Sequence, residues 1–275
     1  MKKIAVLDTD FVSKTYMVKT SEGRRLITRV LDMPEYVFSI HEHMQAELER
    51  HNNRADEWLR AQVDEGKIRK YTDEHIVSDL ASLYGGFAAY QYTLMTMSAC
   101  DAFKRGYFNE HYHGLLAVDY ASIEISDYLY ILKNIDEEIG SGNNLGEIKA
   151  YVTFQWLNNQ SAERVYYFCS DDRNARNGVL GLHDIDVQCI SVLSVFNKLK
   201  QERTFDEESM EPYIQSLIDF MGNKNVAVVE ASATGRWIRI TWEQALRDLF
   251  DEKFIELKNG MLKYKEEKGI IYRKI

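Results

Sequence analysis

The chain has 275 residues, 45% of them hydrophobic and 28% charged, with only 2 prolines. That is globular composition, and it excludes wholesale disorder, a collagen-like repeat and a proline-rich linker. With 43 acidic against 34 basic side chains the formal net charge is -9, which argues against a protein that coats nucleic acid by bulk electrostatics, because phosphate neutralisation needs clustered Lys and Arg. It does not argue against an enzyme that cuts nucleic acid, since a carboxylate-built metal site adds negative charge where the ion sits. No run approaches 18 uncharged apolar residues, Asp8 interrupts any signal-peptide core, and Cys100, Cys169 and Cys189 follow no pairing pattern. The expectation is a cytoplasmic protein without a membrane contact.

Ile4 to Leu7 is a continuous apolar run ending in Asp8-Thr9-Asp10, which predicts a strand buried on both faces, as in a parallel sheet. Tyr36 to Ile40 predicts a second strand, leading into a helical stretch from His41 to His51. From about residue 52 to 145 the apolar residues recur at helical spacing, as in Leu80, Leu83, Phe87, Tyr90 and Leu94. This predicts three or four helices inserted between the second and third main strands. The loop at 140–144 closes the insertion, with Asn144 as a cap for a helix beginning near Leu145. Arg164 to Cys169, ending in Ser170-Asp171-Asp172, predicts the third strand, and Val187 to Ile190 the fourth, each followed by a helix.

Beyond about residue 203 the pattern changes. It predicts a helix over 205–221, strands over 226–230 and 237–240, a helix over 241–250, and a hairpin over 254–264 around Asn259-Gly260. The fold class is therefore α/β. A core over 1–203 carries the helical insertion, and a small α+β appendage over 204–275 resembles a winged-helix module. The mixed Lys and Glu tail after Lys253 reads as a solvated surface.

The chemistry collects where strands end, which is where open parallel sheets bind ligands. Asp8 and Asp10 follow the first strand, Asp171 and Asp172 the third; Glu47 and Glu42 lie on the helix after the second, and Glu147 opens the helix before the third. Crowded carboxylates repel unless a cation joins them or their pKa values rise. Oxygen ligands without His or Cys suit Mg²⁺ or Mn²⁺.

The segments IAVLDTD, AELERH, LGEIKAY and VYYFCSDDRNAR, with the following VQCISVLSVF, resemble the PIN-domain ribonucleases over roughly residues 1–50 and 140–200. That resemblance implies a three-layer α/β/α fold with a central parallel sheet and a site of acids holding one or two Mg²⁺ or Mn²⁺ ions. The matching acids are Asp8, Glu47, Glu147 and Asp171, with Asp172 as a neighbouring ligand and Asp10 as a further choice. Thr9, Arg173 and Arg176 stand where they could meet substrate phosphates. The implied activity is hydrolysis of RNA, as a toxin or defence-type nuclease under an inhibitory protein partner, with a homodimer expected. The alternative is a non-catalytic interaction protein on the same fold.

Each acid also has a plainer role. Asp8 and Asp171-Asp172 fit as helix caps, Glu47 as a solvated helix face, and Glu147 as a partner of the helix dipole. The pairs His41/His43 and His111/His113 lack zinc-site spacing and read as helix-surface residues. Dense aromatics, among them Tyr84, Phe87, Tyr90, Tyr92 and Tyr112, read as packing between helices or against a second subunit.

Overall fold

The computed structural model describes residues 3–140, 144–159, 165–182, 187–201, 207–231 and 235–266. The chain forms two compact units, Met1–Ser13 with Met33–Cys189, and Lys14–Asp32 with Ile190–Ile275. The division falls at residue 189 rather than near 203, and a segment from the first strand's connection joins the second unit. Residues 141–143, 205–206 and the tail beyond 266, where a loop, a helix start and a solvated tail were expected, lie outside the described residues. No described helix is long and apolar enough to cross a membrane.

The first elements are β1 (Lys3–Leu7), α1 (Thr9–Met17), α2 (Leu26–Leu31), β2 (Tyr36–His41), α3 (Glu42–His51), α4 (Asn53–Asp64) and β3 (Ile68–Tyr71). Next come α5 (Asp73–Tyr84), α6 (Ala88–Phe103), α7 (Tyr107–His111), α8 (Ile125–Ile139), α9 (Leu145–Asn159), β4 (Val165–Cys169), α10 (Arg173–Leu180) and β5 (Gln188–Ile190). The five strands make one all-parallel sheet in the order β3-β2-β1-β4-β5, flanked by helices. Ile4 to Leu7 are buried throughout, as a strand at the middle of a two-faced sheet must be. Parallel pairing sends the carboxyl end of each of these strands to the same edge.

One strand went unseen in the sequence. β3 lies inside the stretch expected to be purely helical, paired with β2 from Phe38↔Ile68 to His41↔Tyr71. Its four residues run buried, exposed, exposed, buried, with Arg69 and Lys70 outward. Such a short charged strand at a sheet edge has no apolar run to announce it. The helical insertion is therefore α5 to α8. Thr72 caps its first helix, Oγ1 accepting the His75 amide at 3.0 Å.

α9 is buried nearly all round, which a helix tolerates only at the centre of a domain. Ile148, Tyr151, Val152 and Phe154 share a core with Ile76 and Leu80 of α5, Tyr92 and Ala99 of α6, and Tyr128 and Leu132 of α8. The Tyr151 hydroxyl donates to the Ala175 carbonyl at 2.6 Å by passing over Gly178, where its ring atoms occupy the place of a Cβ.

The second unit contains α11 (Val192–Gln201), α12 (Glu207–Met221), β6 (Asn225–Val229), β7 (Trp237–Thr241), α13 (Trp242–Phe250), β8 (Phe254–Glu256) and β9 (Leu262–Tyr264). The Asn259-Gly260 hairpin forms as expected, with Gly260 at φ +70 and Asn259 Oδ1 accepting the Met261 amide at 3.2 Å. It does not stand alone as a wing. β9 pairs in parallel with β6, giving a mixed sheet in the order β7-β6-β9-β8.

Helix propensity favours alanine over glycine at position 178 by about 1 kcal/mol, but the Tyr151 ring forbids it. Gly178→Ala should therefore destabilise the chain by roughly 1–3 kcal/mol through overpacking, read as a lower urea midpoint. An unchanged or higher midpoint would show that Tyr151 can move aside.

Candidate functional site

β1 and β4 are neighbours, so their exits meet. Ser170 Oγ donates to Asp8 Oδ2 at 2.7 Å and accepts the Asp172 amide at 3.1 Å, while the Asp171 amide donates to Asp10 Oδ1 at 2.9 Å. α3 brings in Glu47, whose Oε2 accepts Thr9 Oγ1 at 2.8 Å. Glu147 stands in the first turn of α9 beside Gly146. A Cβ on Gly146 would lie 2.5 Å from Glu47 Oε2, so glycine is what lets the Glu47 carboxylate approach the start of α9.

The electrostatics of this edge are unbalanced. Burial raises the Asp8 carboxyl well above its usual range, and the charges of Asp10 and Glu147 raise it further. Burial also pushes Glu147 up to about 7; its own amide opposes this, while Glu47, Asp172 and Asp10 reinforce it. Glu147 Oε2 is buried and receives no hydrogen bond among the described residues. Among the described residues neither Asp8 nor Glu147 has an ion pair. A cleft of about 490 Å³ opens on Glu147 and Asp172, with Lys104, Asn144, Asn174 and Asn177 on its walls.

Of the sequence-predicted residues, Asp8, Thr9, Glu47 and Glu147 thus converge, joined by Asp10 and Asp172. Asp172 also caps α10, its Oδ1 accepting the Asn174 and Ala175 amides. Asp171 is half-buried, and its charge acts on Arg176. Arg173 opens α10 and is half-buried. Arg176 is the correction. It is 5% exposed and its Nη1 donates to the Ser170 carbonyl at 2.8 Å, so its guanidinium braces the turn after β4 instead of meeting a substrate phosphate.

A second cluster was not foreseen. His41 and His43 are not a pair of helix-surface residues: His41 is the last residue of β2, is buried, and caps α3 through Nδ1, which accepts the His43 amide at 3.3 Å. Desolvation lowers its pKa, so it is neutral. His41 Nε2 lies 3.2 Å from Asp73 Oδ1. His43 Nε2 lies 3.7 Å from Asp73 Oδ2 and 3.6 Å from Asp136 Oδ2.

The buried Lys149 ammonium bridges the same two oxygens at 2.7 and 2.6 Å. Burial alone would raise Asp73 and lower Lys149, but their mutual attraction prevails, holding Asp73 well below the carboxylate range and raising Lys149. The Tyr92 hydroxyl donates to Asp73 Oδ1, and that of Tyr112 to Asp136 Oδ1 at 2.8 Å. Among the described residues, the groups of three or more ligand atoms lying within 4.8 Å of one another are His41–Glu42–Asp73 and His43–Asp73–Asp136. This buried group can hold a metal ion. The strand-end acids do not gather that tightly, as like charges without a cation would not. The one signal in the sequence was Lys149, a lone charge in the otherwise apolar run from Ile148 to Phe154.

Compared with family models, curated proteins and solved structures, the chain matches none.

The raised Glu147 predicts a pH dependence of stability. Between about 4.5 and about 7 the folded chain keeps a proton that the unfolded chain releases, so this group's contribution falls as pH rises through that window. Neutral His41 works in the opposite direction below its unfolded pKa, so the wild type is best compared with Glu147→Gln. In EDTA at pH 8 the variant should be more stable by roughly 3 kcal/mol, with the advantage disappearing near pH 4.5. Parallel profiles for the two proteins would show that Glu147 is not strained.

Proposed function

We propose that the chain is a divalent-metal-dependent ribonuclease whose centre is the strand-end group Asp8, Asp10, Glu47, Glu147 and Asp172, with Asp171 at its margin. The observation that carries this reading is the buried Glu147 oxygen that receives no hydrogen bond, set beside Asp8 with no ion pair for either carboxyl among the described residues. Such acids fit a cation better than they fit one another. The motif resemblance to PIN-domain ribonucleases supports the same residues. A bound Mg²⁺ or Mn²⁺ ion lowers the pKa of water and offsets charge on a phosphodiester.

The chain's own residues do the positioning. Ser170 fixes the Asp8 carboxylate, and Thr9 fixes that of Glu47. The Asp171 amide orients Asp10. Lys104, with Asn144, Asn174 and Asn177, lines the cleft where a single strand of RNA would lie. A protein partner or a second copy has a landing place in the exposed Leu83, Phe87, Tyr90 and Leu94, which supports both the controlled nuclease and the alternative role of interaction protein.

Calorimetry with Mn²⁺ and cleavage of single-stranded RNA test this directly. Wild type should bind Mn²⁺ and cut, and Asp8→Asn and Glu147→Gln should each lower cleavage at least 100-fold. Full cleavage by either variant, or no Mn²⁺ binding by the wild type at millimolar concentration, would remove the reading.

Gly146→Ala makes a subtler check. It should leave the fold intact, because the clashing atom ends a flexible side chain, yet weaken Mn²⁺ binding several-fold by displacing Glu47. Unaltered affinity would mean that Glu47 is not a ligand.

A further inference from the structure

We propose that His43, Asp73 and Asp136 form a second cation site, built for a transition-metal ion of the Zn²⁺ class, at the wall of the cleft beside α3, α5 and α8. The three ligand atoms come from the exit of β2, the start of α5 and the last turns of α8, and lie within 4.8 Å of one another. The two His43–carboxylate separations of 3.7 and 3.6 Å are close to the roughly 3.4 Å between ligand atoms of a tetrahedral ion with bonds of about 2.1 Å. One imidazole with two carboxylates selects Zn²⁺ over Mg²⁺, which prefers oxygen and water.

Two further observations make this more than a set of acids. Asp136 is buried, and its Oδ2, paired with the Lys149 ammonium at 2.6 Å, also faces His43 Nε2 at 3.6 Å. The two carboxylate ligands are also braced from behind, since the rear oxygens of Asp73 and Asp136 are held by the Tyr92 and Tyr112 hydroxyls. Partners of this kind orient first ligands around a metal. His43 is the ligand in touch with solvent, its side chain 26% exposed. All three ligands line a cleft of about 700 Å³, so three protein atoms hold the ion and a fourth position faces the cleft. His41 is not the imidazole ligand, because its Nδ1 is engaged by the His43 amide and its Nε2 faces Asp73 Oδ1.

This site does not depend on the ribonuclease reading, and the test keeps the two apart. Full-length wild type, His43→Ala, His43→Gln and Asp8→Asn are dialysed against Zn²⁺, and bound metal is counted; Co²⁺ spectra are then recorded on each. The expected result is an intense tetrahedral Co²⁺ band and a tightly bound Zn²⁺ ion in wild type and Asp8→Asn. Both His43 variants should bind that ion at least tenfold more weakly and lose the band while keeping wild-type circular dichroism. The proposal is overturned if wild type binds no Zn²⁺ at tenfold excess. It is overturned equally if the His43 variants keep the ion and its spectrum, or if Asp8→Asn alone loses them. Because His43 is half-buried at a cleft wall, its replacement leaves the core untouched.

Discussion

The parallel pairing of β1 with both β2 and β4 is the constraint from which the chemistry of this protein follows. Parallel strands leave a sheet in the same direction, so the residues just past Leu7, His41, Tyr71 and Cys169 emerge along one edge. Those positions carry Asp8, Glu42 and His43, Asp73, and Asp171 with Asp172. The sheet therefore concentrates negative charge in a small space, and each part of that edge must deal with it.

The two clusters solve the problem differently. Around Asp73 and Asp136 the protein supplies its own cation, with Lys149 drawn into the core because two carboxylates hold it there at 2.7 and 2.6 Å. An ion pair so deeply buried loses much of its hydration, and what sustains it is the second carboxylate and the tyrosine hydroxyls around it. Around Asp8 and Glu147 no ion pair forms among the described residues, and burial, reinforced by the neighbouring acids, raises both carboxyls. A fold that keeps like charges together in this way gives up stability, which is common where a site has to receive a charged ligand.

The helical insertion shapes what that edge can do. α8 contributes Asp136, and α6 with the residues after it walls the cleft at Glu147. α9 is the common element. Glu147 near its start faces the strand-end acids, and Lys149, two residues on, faces Asp73 and Asp136, because residues two apart on a helix point in different directions.

Much of this was legible in the sequence. A continuous apolar run marked β1, and predominantly apolar runs marked β2, β4 and β5, since strands buried on both faces have little polar side to show. The acids directly after β1 and β4, with Thr9, Glu47 and Glu147, could be placed at one edge from topology alone. What the sequence could not show depended on contacts across the fold. β3 has only two buried side chains, so its strand nature comes from pairing with β2. Arg176 looked like a phosphate ligand until the turn after β4 enclosed it. His41, Asp73, Asp136 and Lys149 are far apart in the chain, and their partnership exists only once β2, α5, α8 and α9 are packed together. Local pattern determined which segments become strands and which acids end them; tertiary packing decided which charges are buried, and burial is what turns a solvated side chain into one that needs a partner.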